Sequence, residues 1–243
     1  MRSRFPLTAV FCFVLLVLCS AASAQDIFVT PVPNAPFSGV IKVERSIVQR
    51  DGSVASFKTT RDIHRDSLGR IYNEARTLLP VSSTAVPQIV RILIYDPQNR
   101  LSTQLFPRDR TFISGTVSRP PATVPPALLY ASPTGERLPA NEFTNGEDLG
   151  FQEISGVSVH GVRETQTIPP DKSGTGTEIV ISDEYWYSND LSINMIIKHV
   201  DPREGSVTMT VTQVARTEPD AALFEIPEGY KDVRLNHPPR PAQ

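Results

Sequence analysis

The sequence predicts an all-β protein with very little helix, in which antiparallel strands follow one another in up-and-down order. Three observations support this fold class. Apolar and polar residues alternate with a period of two, turn-forming residues separate the alternating runs, and 22 prolines and 13 glycines are spread along the chain, where proline disfavours helix interiors. The 24 basic and 26 acidic residues nearly balance, which argues against a nucleic-acid-binding surface.

The alternation defines strands with one apolar and one polar face. Successive side chains of a strand point to opposite sides of a sheet, so residues of one parity share a face. We expect each run to be an antiparallel strand that is packed on one side and wet on the other. The apolar positions of three such runs are Phe37, Ile41 and Val43; Leu191, Ile193, Met195 and Ile197; and Val207, Met209 and Val211.

Turn signals fall between the predicted strands at hairpin spacing. Examples are Asp51-Gly52, the run Asp66-Ser67-Leu68-Gly69 and the run Asp96-Pro97-Gln98-Asn99. Glycine reaches positive φ at low cost, proline presets φ, and Asp and Asn side chains bond the backbone of a turn. The strands that these turns delimit are predicted at about Val54–His64, Arg70–Leu79, Gln88–Tyr95 and Leu101–Phe106.

Residues 1–24 are typical of a secretory signal peptide. Two arginines precede a nearly continuous apolar run at 7–19, and Ala22-Ser23-Ala24 provides a small-residue cleavage site before Gln25. The apolar run is shorter than the roughly 20 residues that a membrane-spanning helix needs. The sequence therefore predicts a cleaved, periplasmic or secreted protein, and a retained anchor is the disfavoured alternative.

Both cysteines, Cys12 and Cys19, lie within this predicted signal peptide. Lipidation at Cys19 is disfavoured, because Leu18 stands where lipidation signals carry a small residue. Cleavage would leave a chain with no disulfide, no thiol nucleophile and no cysteine metal site. No later segment of the sequence is apolar over a length that predicts a transmembrane anchor.

The domain organisation follows from the proline distribution. Residues 25–36 predict an extended N-terminal segment, 37–231 a single β-domain, and 232–243 a disordered tail. The proline-rich stretch 119–150 interrupts the domain as a long loop, either on the surface or docked over an open sheet face. Pro219–Phe224 predicts one helical turn.

The sequence shows no catalytic, metal-binding or cofactor-binding signature. Its four histidines lack the spacing of a zinc site, and His64 and His199 fall on the polar parity of their strands. Gly174–Thr177 lacks the setting of a phosphate loop, and Gly156–His160 departs from the pattern of a nucleophile elbow. A hydrolase is therefore the least favoured function, and we predict a protein that is not an enzyme.

The hairpin around Asp66 is dense in charge, with Arg61, Arg65, Arg70, Glu74 and Arg76 among its residues. One interpretation is a ladder of opposite charges on a solvated sheet face. The other is a partner-binding surface at Arg61, Arg65 and Arg70, which would make the protein an interaction domain of the cell envelope that uses this hairpin or a sheet edge.

The last third of the chain resembles a known C-terminal pattern. Its parts are Gly161–Thr165, Glu184–Leu191 with the single tryptophan Trp186, and Pro219-Asp220-Ala221-Ala222-Leu223-Phe224-Glu225-Ile226-Pro227-Glu228-Gly229-Tyr230. Exported proteins related to the LolA-like lipoprotein carriers and the periplasmic envelope-stress sensors end similarly. Most of residues 33–231, including Arg65–Arg70, is also similar to a set of secreted proteins of Acidobacteria-type soil bacteria, and this second resemblance implies no activity.

The LolA-like resemblance implies an incomplete, half β-barrel whose concave apolar face holds a lipid or acyl chain. Residues 25–36 cannot form the amphipathic helix with which lipoprotein carriers begin, so either the proline-rich loop covers the concave face or side chains fill it. The function predicted first is binding or sensing of a hydrophobic ligand, a lipid or lipoprotein, on that face. The candidate lining residues are Phe37, Ile41, Val43, Trp186, Ile193, Met195, Val207 and Met209.

Overall fold

The computed structural model describes residues 26–118 and 144–233, and these form one sheet of thirteen strands. The predicted signal peptide, most of the proline-rich loop and nearly all of the predicted tail lie outside the described residues. A 3₁₀ helix spans Ala221–Phe224. The strands are β1 (Phe37–Val48), β2 (Val54–Arg65), β3 (Ile71–Arg76), β4 (Leu79–Pro80), β5 (Ile89–Asp96), β6 (Leu101–Phe106), β7 (Thr111–Thr116), β8 (Thr144–Ile154), β9 (Val157–Ile168), β10 (Ile179–Ser188), β11 (Ile193–Asp201), β12 (Gly205–Ala215) and β13 (Lys231–Asp232).

The strand order consists of two meanders joined side by side. Read across the sheet it is β13-β7-β6-β5-β3-β2-β1-β12-β11-β10-β9-β8, with the short β4 paired to β2. All pairs are antiparallel except β13 with β7. The two meanders are joined where β1 pairs with β12. A simple up-and-down order has no such pair, because it pairs only strands that follow each other in the chain. Period-two alternation determines which face a residue occupies but not which strand lies beside it.

The sheet is open and curved, and one contact shows how far it curls. The hydroxyl of Ser155, in the turn between β8 and β9, donates to the carbonyl oxygen of Val211 on β12 at 3.5 Å. Two strands separate β9 from β12 in the sheet, so the β8–β9 hairpin tip folds back over the face of its own sheet. This arrangement confirms the predicted all-β fold class, here an open curved antiparallel sheet.

Two apolar clusters lie on opposite faces of the sheet. Ile71 belongs to the first cluster and the next residue, Tyr72, to the second, and adjacent strand residues point to opposite sides. The first cluster occupies the concave face and includes the curled hairpin tip through Val157. The second lies on the outer face, where Phe224 of the 3₁₀ helix packs on it and the Asp220 side chain caps that helix.

Residues 26–36 cross the concave face without forming a strand. Ile27 and Val29 of this segment are almost completely buried in the first cluster. A buried arginine, Arg65, holds the segment: its Nη1 donates to the carbonyl oxygen of Thr30 at 2.8 Å, and its Nε to that of Ala35 at 2.8 Å. Burial lowers the pKa of Arg65 to about 10, so its guanidinium is still cationic at neutral pH.

The segment and side chains fill one part of the concave face. We call this part the closed end and define it by Phe37, Ile41, Ile63, Ile193 and Met195, each at most 1% exposed. The sequence left open whether the proline-rich loop or side chains cover the concave face. Among the described residues, the closed end is covered by the 26–36 segment, the β8–β9 hairpin tip and tightly packed side chains.

Candidate ligand-binding cavity

Further along the same face the sheet encloses a cavity of about 530 Å³, which we call the open end. Its floor is built from rows of directly opposed residues on β1, β12 and β11. One row holds Val43, Met209 and Ile197, and the next holds Arg45, Val207 and His199. The full lining is Asp26, Val43, Arg45, Ser46, Thr59, Arg61, Ala75, Arg76, Leu78, Ile197, His199, Glu204, Gly205, Ser206, Val207 and Met209.

The cavity extends to a split between β2 and β3. The two strands pair only where Ile63–Arg65 of β2 face Ile71–Asn73 of β3, whereas β3 pairs with β5 along its whole length. Side chains bridge the split in place of the backbone ladder. Arg61 Nη1 donates to Asn73 Oδ1 at 2.7 Å and to the Glu74 carbonyl oxygen at 3.2 Å.

Ion pairs complete this bridge. Arg76 contacts Glu74 at 2.5 Å and Asp62 at 2.9 Å, and the Tyr72 hydroxyl donates to Glu74 at 2.7 Å. Burial acts to lower the pKa of Arg76, but the hydrogen bond and charge of Glu74 raise that pKa above its ordinary value. Burial, together with Glu74, raises the pKa of Tyr72. The guanidinium of Arg76 is therefore held in its charged form and the phenol of Tyr72 in its neutral form.

One further ion pair closes the cavity toward the N-terminal segment. Asp26 contacts Arg61 Nη2 through its Oδ1. Asp26 lines the cavity, whereas the next residue, Ile27, is buried at the closed end. The Asp26–Arg61 pair therefore lies on the boundary between the open and closed ends.

The eight predicted lining residues separate into three groups. Val43, Val207 and Met209 line the cavity. Four others, Phe37, Ile41, Ile193 and Met195, lie in the closed end, where each is almost completely buried in the first cluster. Trp186 lies over Gly161 of the neighbouring strand, where an added Cβ would collide with its ring, and its Nε1 donates to Glu184 Oε1 at 2.7 Å.

The three predicted partner-binding arginines are all engaged inside the domain. Arg61 is 7% exposed and Arg65 is completely buried, so the expected position on a solvated face is wrong for both. Arg70 bonds Asp66 at 2.6 Å and lies over the ring of Phe224. The guanidinium groups of all three arginines bond acceptors within the domain.

Sequence reasoning missed several residues of the cavity wall. Thr59 and Arg61 of β2 point into the cavity. Because both are polar, the apolar alternation did not indicate that they face inward. Leu78 lies within the strand predicted at about Arg70–Leu79 but was not selected as a lining residue. Ile197 did belong to a predicted apolar run, and the same alternation that selected Met195 could have added it.

The described residues contain no candidate metal site. No group of three or more His, Cys, Asp or Glu side chains within 26–118 and 144–233 is arranged to hold a metal ion. His199 faces the cavity and its Nδ1 lies 2.8 Å from Asp183 Oδ1. None of the helices in the described ranges is both long enough and apolar enough to cross a membrane.

No family model and no curated protein matches the chain. Solved structures with a similar fold include the MucA/MucB complex of Pseudomonas aeruginosa, at 11% identity and a TM-score of 0.38, over 78% of this chain and 55% of that one. A LolA superfamily protein from Nitrosomonas europaea matches at 11% identity and 0.32, over 80% and 92%. LprF from Mycobacterium bovis matches at 14% identity and 0.30, over 76% and 89%.

This chain thus spans little more than half the length of the matched chain in the MucA/MucB complex. With TM-scores below 0.5 and identities below 15%, these likenesses assign neither a ligand nor a partner to the chain.

Proposed function

We propose that the protein is an exported, non-enzymatic binding protein that holds a hydrophobic ligand, a lipid or acyl chain, in the cavity at the open end. The observation that carries this proposal is a hollow of about 530 Å³ above an apolar floor. Cavities that bind small molecules commonly measure about 300–1,000 Å³ and combine apolar walls with a few polar groups. Export rests on the predicted signal peptide.

The arrangement of the walls suits an elongated apolar ligand with one polar end. Val43, Ile197, Val207 and Met209 form a continuous apolar floor across three strands. Arg45 and His199 flank Val207 in the second row of the floor, and two of the three arginines of the lining already contact carboxylates of the domain. A ligand would therefore gain chiefly by removing apolar surface from water.

Titration with a fluorescent fatty acid, 11-(dansylamino)undecanoic acid, tests the proposal. We expect the probe to gain fluorescence on binding and the variant Val207→Trp to weaken its affinity at least about tenfold, because the indole would fill space that the acyl chain needs. Val180→Trp serves as the matched control, since Val180 is an exposed strand residue outside the cavity. Native mass spectrometry of gently purified protein would show any ligand that it already carries.

Two results would overturn the proposal. The first is the absence of a fluorescence gain together with a ligand-free native mass. The second is equal probe affinity for the unaltered protein and Val207→Trp, which would place the bound probe elsewhere on the molecule.

A further inference from the structure

A stretch of chain beside the cavity carries no charge and yet is exposed. No charged residue occurs between Arg76 and Arg91. Residues 77–88, which we call the neutral loop, lie within this stretch. Val81 of the loop is 50% exposed and Val86 is 72% exposed, although valine is one of the most commonly buried residue types.

The neutral loop is held in one conformation by backbone hydrogen bonds. Its two ends meet where Thr77 N donates to the carbonyl oxygen of Gln88 at 2.9 Å, and its middle is tied to β2 where Val81 N donates to that of Ser56 at 3.0 Å. Within the loop, β4 pairs with β2. The domain therefore presents these valines outward from a fixed support.

The exposed apolar surface of the loop continues to the mouth of the cavity. Leu78 belongs to both, because it lines the cavity and is 41% exposed. Val54, two residues before Ser56 in the chain, is exposed as well. Single exposed apolar residues are ordinary, but several on one charge-free projection at a cavity mouth mark an interaction surface.

Basic residues border this surface. Arg45 lines the cavity, and Arg91, which ends the charge-free stretch, lies opposite the cavity-lining Ala75. Both are exposed, and within the described ranges neither forms an ion pair. The acidic Glu204 of the wall comes from the β11–β12 turn on the other side of β1. An apolar projection bordered by cations matches an anionic membrane interface, where apolar side chains enter the headgroup region and cations contact phosphates.

We propose that the neutral loop docks on the surface of an anionic lipid bilayer, with the cavity mouth facing the membrane. Leu78, Val81 and Val86 enter the interface, and the neighbouring cations contact lipid phosphates. This proposal goes beyond ligand binding, and the docking itself does not depend on which ligand the cavity holds.

Vesicle flotation of the purified protein tests the docking. We expect the protein to float with vesicles of phosphatidylcholine and phosphatidylglycerol, to float less with phosphatidylcholine alone, and to lose binding as salt screens the cations. The double variant Val81→Asp/Val86→Asp should weaken vesicle binding at least about tenfold, since charged groups resist entry into the interface. The matched control Val117→Asp/Val180→Asp places two aspartates at exposed valines elsewhere and should change binding less than about twofold.

Failure of docking and failure of ligand binding give different results. If the unaltered protein does not float with anionic vesicles, or if Val81→Asp/Val86→Asp floats equally well, docking is overturned. Loop-dependent dimerisation without flotation also overturns it and identifies a second copy as the occupant. Without vesicles, the loop variant should bind the fluorescent probe as tightly as the unaltered protein does. If the unaltered protein itself fails to bind the probe, that result counts only against the proposed function. If the aspartates lower the melting temperature, Val81→Ser/Val86→Ser gives the same comparison.

Discussion

The closed and open ends of the concave face are built from the same strands and the same parity, but only one of them is hollow. Met195 and Ile197 are two residues apart on β11 and point to the same side. Met195 is completely buried in the closed end, whereas Ile197 forms part of the cavity floor. Likewise Ile41 is packed in the closed end and Val43, two residues later on β1, lines the cavity.

The difference arises from what covers each row. At the closed end, Ile27 and Val29 enter from the N-terminal segment, and the curled hairpin tip adds Val157. At the open end, β2 and β3 separate and polar side chains bridge the gap. A strand thus determines that a residue faces inward, and distant parts of the chain determine whether that residue packs on protein or borders a space.

Replacement of Arg65 should be the strongest way to break the closed end. Arg65 donates to the carbonyl oxygens of Thr30, Ala35 and Leu191. We expect Arg65→Ala to lower the free energy of unfolding by about 3–5 kcal/mol, because buried acceptors lose their donor and a cavity forms. Chemical denaturation measures this change.

Two variants control for the charge of Arg65. Arg108→Ala removes an exposed arginine and should cost less than about 0.5 kcal/mol. Arg65→Lys keeps the charge but not the planar fork of donors, so it should recover only part of the loss. A loss for Arg65→Ala below about 1 kcal/mol would show that apolar contacts alone hold the N-terminal segment.

One substitution made at both ends sharpens the comparison. Met195→Ala should lower the free energy of unfolding by about 2–5 kcal/mol, as for other buried methionines. Met209→Ala should lower this free energy by less than about 1 kcal/mol, because Met209 already borders the cavity and its truncation creates little new empty space. Denaturation curves of both variants measure the difference.

Probe affinity should respond in the opposite order. Met209→Ala removes apolar contact with the proposed ligand and should weaken probe binding about 3- to 10-fold, whereas Met195→Ala should leave it nearly unchanged in the folded protein. Equal costs in stability for the two variants would mean that the open end is as tightly packed as the closed end.

The sequence was sufficient to predict the fold class and the faces of the main strands. Alternation placed Phe37, Ile41 and Val43 on one apolar face, and the structure has all three on the concave side. The turn prediction at Asp96–Asn99 has its counterpart between β5 and β6, where the Asp96 side chain accepts from the backbone amides of Gln98 and Asn99. These are local properties, and local residue types encode them.

The site could be predicted only in part, because its boundaries are nonlocal. Nothing near Met195 in sequence indicates that Val29 packs in the same cluster, and nothing near Val43 indicates that the sheet splits beside Thr59. One interpretation of the charged residues in the Arg61–Arg76 hairpin was a solvated surface, but Arg61 and Glu74 bridge that split from buried positions. The residues next to a paired charge in the sequence do not indicate whether that pair is buried.

The smallest expected effect is at the boundary between the two ends, where Asp26 pairs with Arg61. The Asp26 side chain is 55% exposed, and ion pairs with an exposed partner contribute about 0–1 kcal/mol. We expect Asp26→Asn to lower the free energy of unfolding by less than about 1 kcal/mol, with the difference shrinking at high salt. Asp190→Asn is a matched control, because Asp190 pairs with Arg216 at the surface.

The size of the Asp26→Asn effect distinguishes two ways of holding the N-terminal segment. After the substitution, Arg61 still has its bonds to Asn73 and Glu74, and Ile27 and Val29 are still buried. If apolar burial and Arg65 anchor the segment, Asp26→Asn should cost about as little as Asp190→Asn. A loss above about 2 kcal/mol would exceed what an exposed pair supplies, and it would mean that the closed end depends on a contact in the cavity wall.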